Sequence, residues 1–191
     1  MAILRDVVFF TAKKRATGKI SKIFAELRDE VKNVTKKSPV HFPERTDLQT
    51  GKLSKGENYQ GLPYIILDFP KLFSKETVFA FRTMFWWGNY FSFHFHLSGT
   101  ALELYKKNIL TNISSLRSQN FFYCDSDSPW NYQFEDPDFI VLDDLLSEKK
   151  FGERIAQKNF FKISRKVDLS EWKNVPSIGA ETFHQCLKLL Q

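Results

Sequence analysis

Residues 77–97 read TVFAFRTMFWW, GN, YFSFHFHL: two aromatic-rich runs that meet at Gly88-Asn89. Glycine at the first of two central positions suits a type II′ turn, whose twist matches that of the strands it joins. The runs are therefore expected to form an antiparallel hairpin, with Trp87 opposite Tyr90 and one residue added to each strand per outward step. This register puts Ala80, Arg82, Met84 and Trp86 on one face, opposite Leu97, Phe95, Phe93 and Phe91. Phe81, Thr83, Phe85 and Trp87 share the other face with His96, His94, Ser92 and Tyr90. Side chains alternate along a strand, so His94 and His96 point the same way, and a slip of the turn by one position exchanges the faces of one strand.

Both faces of this hairpin are rich in apolar side chains, whereas a half-exposed antiparallel sheet alternates apolar with polar. Each side thus needs a cover, supplied by helices, by another subunit or in part by a ligand. Residues 64–69 (YIILDF) read as a further strand ended by Pro70, with Ile65, Leu67 and Phe69 assigned to the histidine face. Residues 121–124 and 139–142 read as short strands. Over 159–167, Phe161, Ile163, Arg165 and Val167 alternate with Phe160, Lys162, Ser164 and Lys166. Lysines in that pattern suit an edge strand with one wet face.

Ile20, Ile23, Phe24, Leu27, Val31 and Val34 recur at three- and four-residue steps, which predicts an amphipathic helix over 17–36. Ile3, Leu4, Val7, Val8 and Phe10 suggest a shorter helix before it, with Ala16-Thr17-Gly18 as the break between the members of a helical pair, or as a kink. Thr100-Ala101-Leu102-Glu103 has capping-box spacing and opens a helix that continues to Leu116. Another helix is expected near Asp143 and a last one from about Ile178. Residues 38–63, with six Gly and Pro and few apolar side chains, read as a long loop. Helices at both ends and strands between them favour an α+β fold, with a central antiparallel sheet, an N-terminal helical pair and helices packed on the sheet. A single domain over 1–191 is expected, divided into a basic helical segment (1–37), the loop (38–63) and the sheet with its helices (64–191).

A chain of 191 residues, 42% of them apolar, can bury a core and is not disordered as a whole. Phenylalanine dominates the aromatic content, with 20 copies against 4 Trp and 6 Tyr, so a few rings can fill a core or wall a pocket. Arg5 and Asp6 interrupt the first apolar run, which does not read as a secretory signal. No apolar run reaches the roughly 18 residues that a spanning helix requires. Cys124 and Cys186 lie far apart and outside any CxxC pattern, so reduced thiols and a cytoplasmic location are expected. The sequons at Asn33 and Asn112 then carry no weight.

The net charge of +6 is local: residues 1–40 hold ten Lys and Arg against four Asp and Glu, and the remainder balances at 18 of each. Between Arg117 and Lys149 lie eight acids (Asp125, Asp127, Glu135, Asp136, Asp138, Asp143, Asp144 and Glu148) with no intervening cation. Internal complementarity or solvated faces account for such runs in the ordinary case. The sharper reading is a basic helical surface that docks on an anionic partner.

His94 and His96 share a strand face two residues apart, a spacing that metal sites use, but a site needs further donors. By residue type these are His41, Glu57, Cys124 or His184, none fixed in space by the sequence. Structural imidazoles bonded to Thr83 or Ser92 are the plainer reading. Arg82 faces apolar neighbours and needs a carboxylate, Asp68 or Glu57, unless it reaches solvent or holds an anionic ligand such as a carboxylate or phosphate. Gly18-Lys19-Ile20-Ser21 lacks the first glycine of a phosphate loop, Asp125-Ser126-Asp127 runs into Pro129 and Trp130 where a calcium loop needs other residues, and Ser147-Glu148-Lys149-Lys150 has no companion motifs. Basic and aromatic residues are segregated rather than interleaved, which disfavours nucleic-acid binding.

The expectation is noncatalytic recognition of a small molecule or protein partner by the aromatic and histidine sheet face, with Arg82, Trp87, Tyr90, His94 and His96 as ligand-binding residues beside the 38–63 loop. One alternative is an enzyme using the His94/His96 pair, with or without a divalent metal. Another is a nucleic-acid-associated protein acting through the basic N-terminal helices. No other cofactor and no membrane partner are expected, and a homodimer is compatible with the pattern.

Overall fold

A computed structural model describes residues 2–135, 137–145 and 151–191. Asp136, and the 146–150 stretch that holds Glu148 and the Ser147-Glu148-Lys149-Lys150 string, lie outside the described residues. The architecture is α+β: a seven-stranded sheet in the order β1-β2-β3-β4-β7-β5-β6, with every neighbouring pair antiparallel. Its strands are β1 (Lys52–Tyr59), β2 (Leu62–Phe73), β3 (Thr77–Trp86), β4 (Tyr90–Gly99), β5 (Phe122–Cys124), β6 (Phe139–Val141) and β7 (Phe160–Asp168). The helices are α1 (Val7–Lys37), α2 (Thr100–Asn112), α3 (Leu142–Leu145), α4 (Phe151–Gln157) and α5 (Val175–Lys188).

The N-terminal segment is one 31-residue helix, not a pair. Asp6 caps it by accepting a hydrogen bond from the Phe9 amide at 2.8 Å. Gly18, the expected break, has open space around its Cα and no neighbour that forces a turn. Its helix cost of roughly 1 kcal/mol is outweighed by the apolar stripe that follows, since Ile20, Ile23, Phe24, Leu27 and Val31 are all buried.

The 38–63 loop is likewise corrected, because its second half is β1, hydrogen-bonded to β2 from Lys52 onward. Its sequence, KLSKGENY, shows no apolar alternation because β1 is an edge strand with no fully buried position. Gln60 (φ 51°) and Gly61 (φ 79°) make the turn into β2. Pro70 does not end β2. The strand passes it through a bulge between Asp68 and Lys71, where a residue without an N–H costs no ladder bond.

The decisive hairpin forms, but its turn is one position off the expected one. Trp86, not Trp87, pairs with Tyr90, and the loop is Trp87-Gly88-Asn89. Gly88 has φ 72°, the Asn89 amide donates to the Trp86 carbonyl at 3.1 Å, and the Asn89 side chain donates to the Trp87 carbonyl at 2.9 Å. This slip exchanges the faces of β3 against β4. Phe79, Phe81, Thr83 and Phe85 now oppose Leu97, Phe95, Phe93 and Phe91, while Ala80, Arg82, Met84 and Trp86 oppose His96, His94, Ser92 and Tyr90. On β2 it is Ile66 and Asp68, opposite Met84 and Arg82, that join the histidine face, and Ile65 and Leu67 lie on the other.

The two faces are covered differently. On one, α1, α2 and α5 close over the phenylalanines in a single buried cluster. Gly179 of α5 permits the closest approach there, for a Cβ would stand 2.5 Å from Leu27 and 2.6 Å from Phe93. On the other face the cover is an irregular strap, residues 125–135, whose Tyr132 packs with Ile66, Met84 and Trp86. Strand β7 is not at the edge. It lies between β4 and β5, and Lys162 is buried at 1% exposure rather than wet.

Candidate functional site

The strap-covered face carries a row of polar side chains on one rung of four strands. Asp68 on β2 pairs with Arg82 on β3, Arg82 with His94 on β4, and His94 with Ser164 on β7. The next rung places Ala80, His96 and Lys162 side by side. Period-two alternation brings these side chains to the same side, and burial then forces each to find a partner.

Arg82 finds Asp68, not Glu57. The pair is bidentate, Nε to Oδ1 at 2.6 Å and Nη2 to Oδ2 at 2.9 Å, and Nη1 donates to the Tyr132 hydroxyl. Burial opposes the guanidinium charge, but these contacts hold its pKa above the ordinary value. Glu57 is exposed and pairs instead with Lys13 of α1 at 3.1 Å.

His94 is 1% exposed and fully engaged: Nδ1 lies 2.7 Å from the Ser164 hydroxyl and Nε2 2.8 Å from that of Ser92. A neutral ring donates from one nitrogen and accepts at the other, and hydroxyls serve either role. Burial first, then the charges of Lys162 and Arg82, lower its pKa well below the ordinary histidine value. Lys162 donates to the Pro129 carbonyl at 2.8 Å and to the Asn131 carbonyl, and sits 4.2 Å from the centre of the Tyr132 ring. Burial lowers its pKa to about 7.

These contacts also fasten the strap. The Tyr132 amide donates to the Tyr59 hydroxyl at 2.9 Å, and the Tyr90 hydroxyl donates to the Tyr132 carbonyl at 3.1 Å. Lys158 donates to the Asp125 carbonyl at 2.7 Å. The acids of this region therefore meet cations in space: Asp125 pairs with Arg154 at 3.0 Å and with Lys158 at 3.5 Å.

His96 differs from its neighbour. It is 5% exposed, its ring lies edge-on to Trp130 and Phe160 at 5.5 and 5.9 Å, and its Nε2 has no hydrogen-bond partner among the described residues. Burial, with Lys162 and Arg82 as secondary causes, lowers its pKa to about 3, so the ring is neutral at physiological pH. His96 lines two spaces. One is a narrow void of about 10 Å³ shared with Arg82, His94 and Lys162, room for one water at most. The other is an open cleft of about 690 Å³, bounded by the strap at Pro129 and Trp130, by Phe160, and by the β2–β3 turn with Lys75 and Glu76. Gly99 permits that closeness, with φ 57° and a missing Cβ that would stand 1.8 Å from the Glu76 carbonyl oxygen. Trp86 Nε1 and Tyr123 Oη are also buried and without a partner among the described residues, but neither borders the cleft.

The structure thus brings together Arg82, Tyr90, His94 and His96 on one face, and leaves Trp87 out. Trp87 sits in the turn and packs on the phenylalanine side, 5.0 Å from the Phe85 ring. The proposed further metal donors do not gather: His41 and His184 are exposed, with the Val40 and Phe42 that flank His41 and the Phe183 beside His184 all packed in the cluster on the other face. Among the described residues no group of three His, Cys, Asp or Glu is placed to hold a metal ion. Lys162, Ser164 and Tyr132 escaped the sequence reading. The alternation over 159–167 put the first two on one side but did not say which side is covered, and nothing periodic marks Tyr132.

No family model, curated protein or solved structure matches the chain. Among the described residues no helix is long and apolar enough to cross a membrane.

Proposed function

We propose that this protein recognises a small anionic molecule, a carboxylate or phosphate, in the cleft at His96, without catalysis. The observation that carries the reading is the His96 ring nitrogen: 95% of the residue is buried, the atom is unpaired, and the residue borders an open cleft. A buried polar group without a partner costs on the order of 1–3 kcal/mol, and a ligand atom that supplies the partner recovers it. The charges acting on the ring are the cations Lys162 and Arg82, so an acceptor bearing negative charge is the complement of an Nε2–H donor there. The rim carries the acids Glu76 and Asp127 as well as Lys158 and an exposed Lys75 that has no ion-pair partner among the described residues, while Trp130 and Phe160 offer apolar walls. The cleft volume lies within the usual few-hundred to about 1,000 Å³ of small-molecule sites. The enzyme alternative draws nothing from His94, both of whose nitrogens are held by serines.

Calorimetric titration with phosphate and short mono- and dicarboxylates tests the reading. Binding is expected, weakened about tenfold or more in His96→Leu and largely retained in His96→Gln, whose amide can also donate. Affinity is expected to fall as pH rises through about 7, where Lys162 sheds its proton. Failure of every anion to bind, or equal binding by His96→Leu, contradicts it.

A further inference from the structure

The segment from Leu4 into the first turn of α1 is unlike any other apolar segment among the described residues. Leu4, Val7, Val8, Phe9 and Phe10 are all exposed, between 45% and 80%, and the first buried side chain of the helix is Ile20. Val7 to Phe10 are consecutive, so at about 100° per residue they cover the whole circumference of the helix. An ordinary surface helix shows one apolar stripe, and apolar character all round marks a helix surrounded by an apolar phase. Charge flanks the segment on both sides: Arg5 before it, and Lys14 and Arg15 after it, with Asp6 committed to the cap and Lys13 paired with Glu57. Beside it a groove of about 500 Å³ runs between Phe9, Leu62, Pro63 and Trp87. Exposed apolar side chains, a tryptophan and a cluster of cations therefore share one end of the molecule.

We infer that this end docks on an anionic lipid surface, with the first turns of α1 lying in the interface. A protein partner would need a socket closed around the one helical turn, Val7 to Phe10, that is apolar on every side, whereas a bilayer surrounds that turn at the headgroup and acyl boundary. The cations at either end of the segment then reach the headgroup phosphates, as basic residues beside an interfacial helix do. A second copy is disfavoured by the same cations, which repel their equivalents. The sequence expectation of no membrane partner rested on the absence of a spanning segment, and a surface contact requires none.

Cosedimentation of the full chain with phosphatidylcholine vesicles, and with the same vesicles containing one-third phosphatidylserine, tests the inference. Binding to the second and not the first is expected. Lys14→Gln/Arg15→Gln is expected to weaken it roughly thirtyfold, from about 1 kcal/mol per basic residue. Val7→Ser/Val8→Ser/Phe10→Ser is expected to abolish it with an unchanged thermal midpoint, because the replaced side chains are exposed. Absence of binding, equal binding to both vesicle types, or self-association in the ultracentrifuge that the serine variant abolishes overturns it. None of these outcomes bears on the His96 cleft, which lies at the other end of β3 and β4.

Discussion

The two faces of one sheet solve the problem of burial in opposite ways. On the helix face, Phe79, Phe81, Phe85, Phe91, Phe93 and Phe95 interlock with α1, α2 and α5, and ring pairs such as Phe79 with Phe95 meet edge-to-face at 5.5 Å. Nothing there needs a specific partner, only a good fit. On the strap face, Asp68, His94, Lys162 and the two serines are buried and Arg82 is partly buried under an irregular segment, and each makes a named bond. The comparison teaches that the phenylalanine face supplies stability, whereas the strap face uses part of that stability to hold charge and imidazole in fixed places. His96, beside them on the same face, has an Nε2 that finds no partner among the described residues.

Three changes break or sharpen this contrast. Phe93→Ala, in the fully buried phenylalanine layer, is expected to cost about 4 kcal/mol in urea unfolding through lost transfer energy and the cavity left behind. Asp68→Leu leaves the Arg82 guanidinium buried and uncompensated and is expected to cost about 3 kcal/mol, while Asp68→Leu/Arg82→Met recovers most of it. If the double variant were as unstable as the single one, the charge argument for the strap face would fail.

The third change concerns pH. An unfolded lysine keeps its proton up to about 10.5, whereas burial brings Lys162 down to about 7, so between these the unfolded chain holds the extra proton. Stability is therefore expected to rise with pH across that window, by at most about 1.4 kcal/mol per unit, and Lys162→Met is expected to flatten the slope. The histidines act lower on the scale. Both have depressed folded values, so stability falls as pH drops below about 6.5, where they protonate only in the unfolded chain.

Alternation was enough to put His94 and His96 on one side, because the period of a strand does not depend on where its turn lies. The partner of that face did depend on the turn, and Arg82 was misplaced for that reason. Gly88-Asn89 serves a two-residue loop or the centre and end of a three-residue one, and only tertiary contacts decide. One is the bond from the Trp87 amide to the Pro63 carbonyl at 3.2 Å, which holds Trp87 in the loop. Strand β1 was illegible because an edge strand needs backbone bonds and no apolar pattern. Tyr132 was illegible because a strap is specified by what it touches, not by any period of its own. The single helix α1 was obscured by weighing Gly18 as a break when nothing around it requires one.

Ring nitrogen NMR of the two imidazoles addresses the assignment of His96 most directly. Added phosphate or carboxylate is expected to move the His96 Nε2 resonance while that of His94, locked between Ser92 and Ser164, stays in place, with both rings neutral at pH 6. An unmoved His96, or a His96 that takes up a proton near pH 6.5 like a solvent-exposed imidazole, contradicts the proposal that its unpaired nitrogen serves a ligand of the cleft.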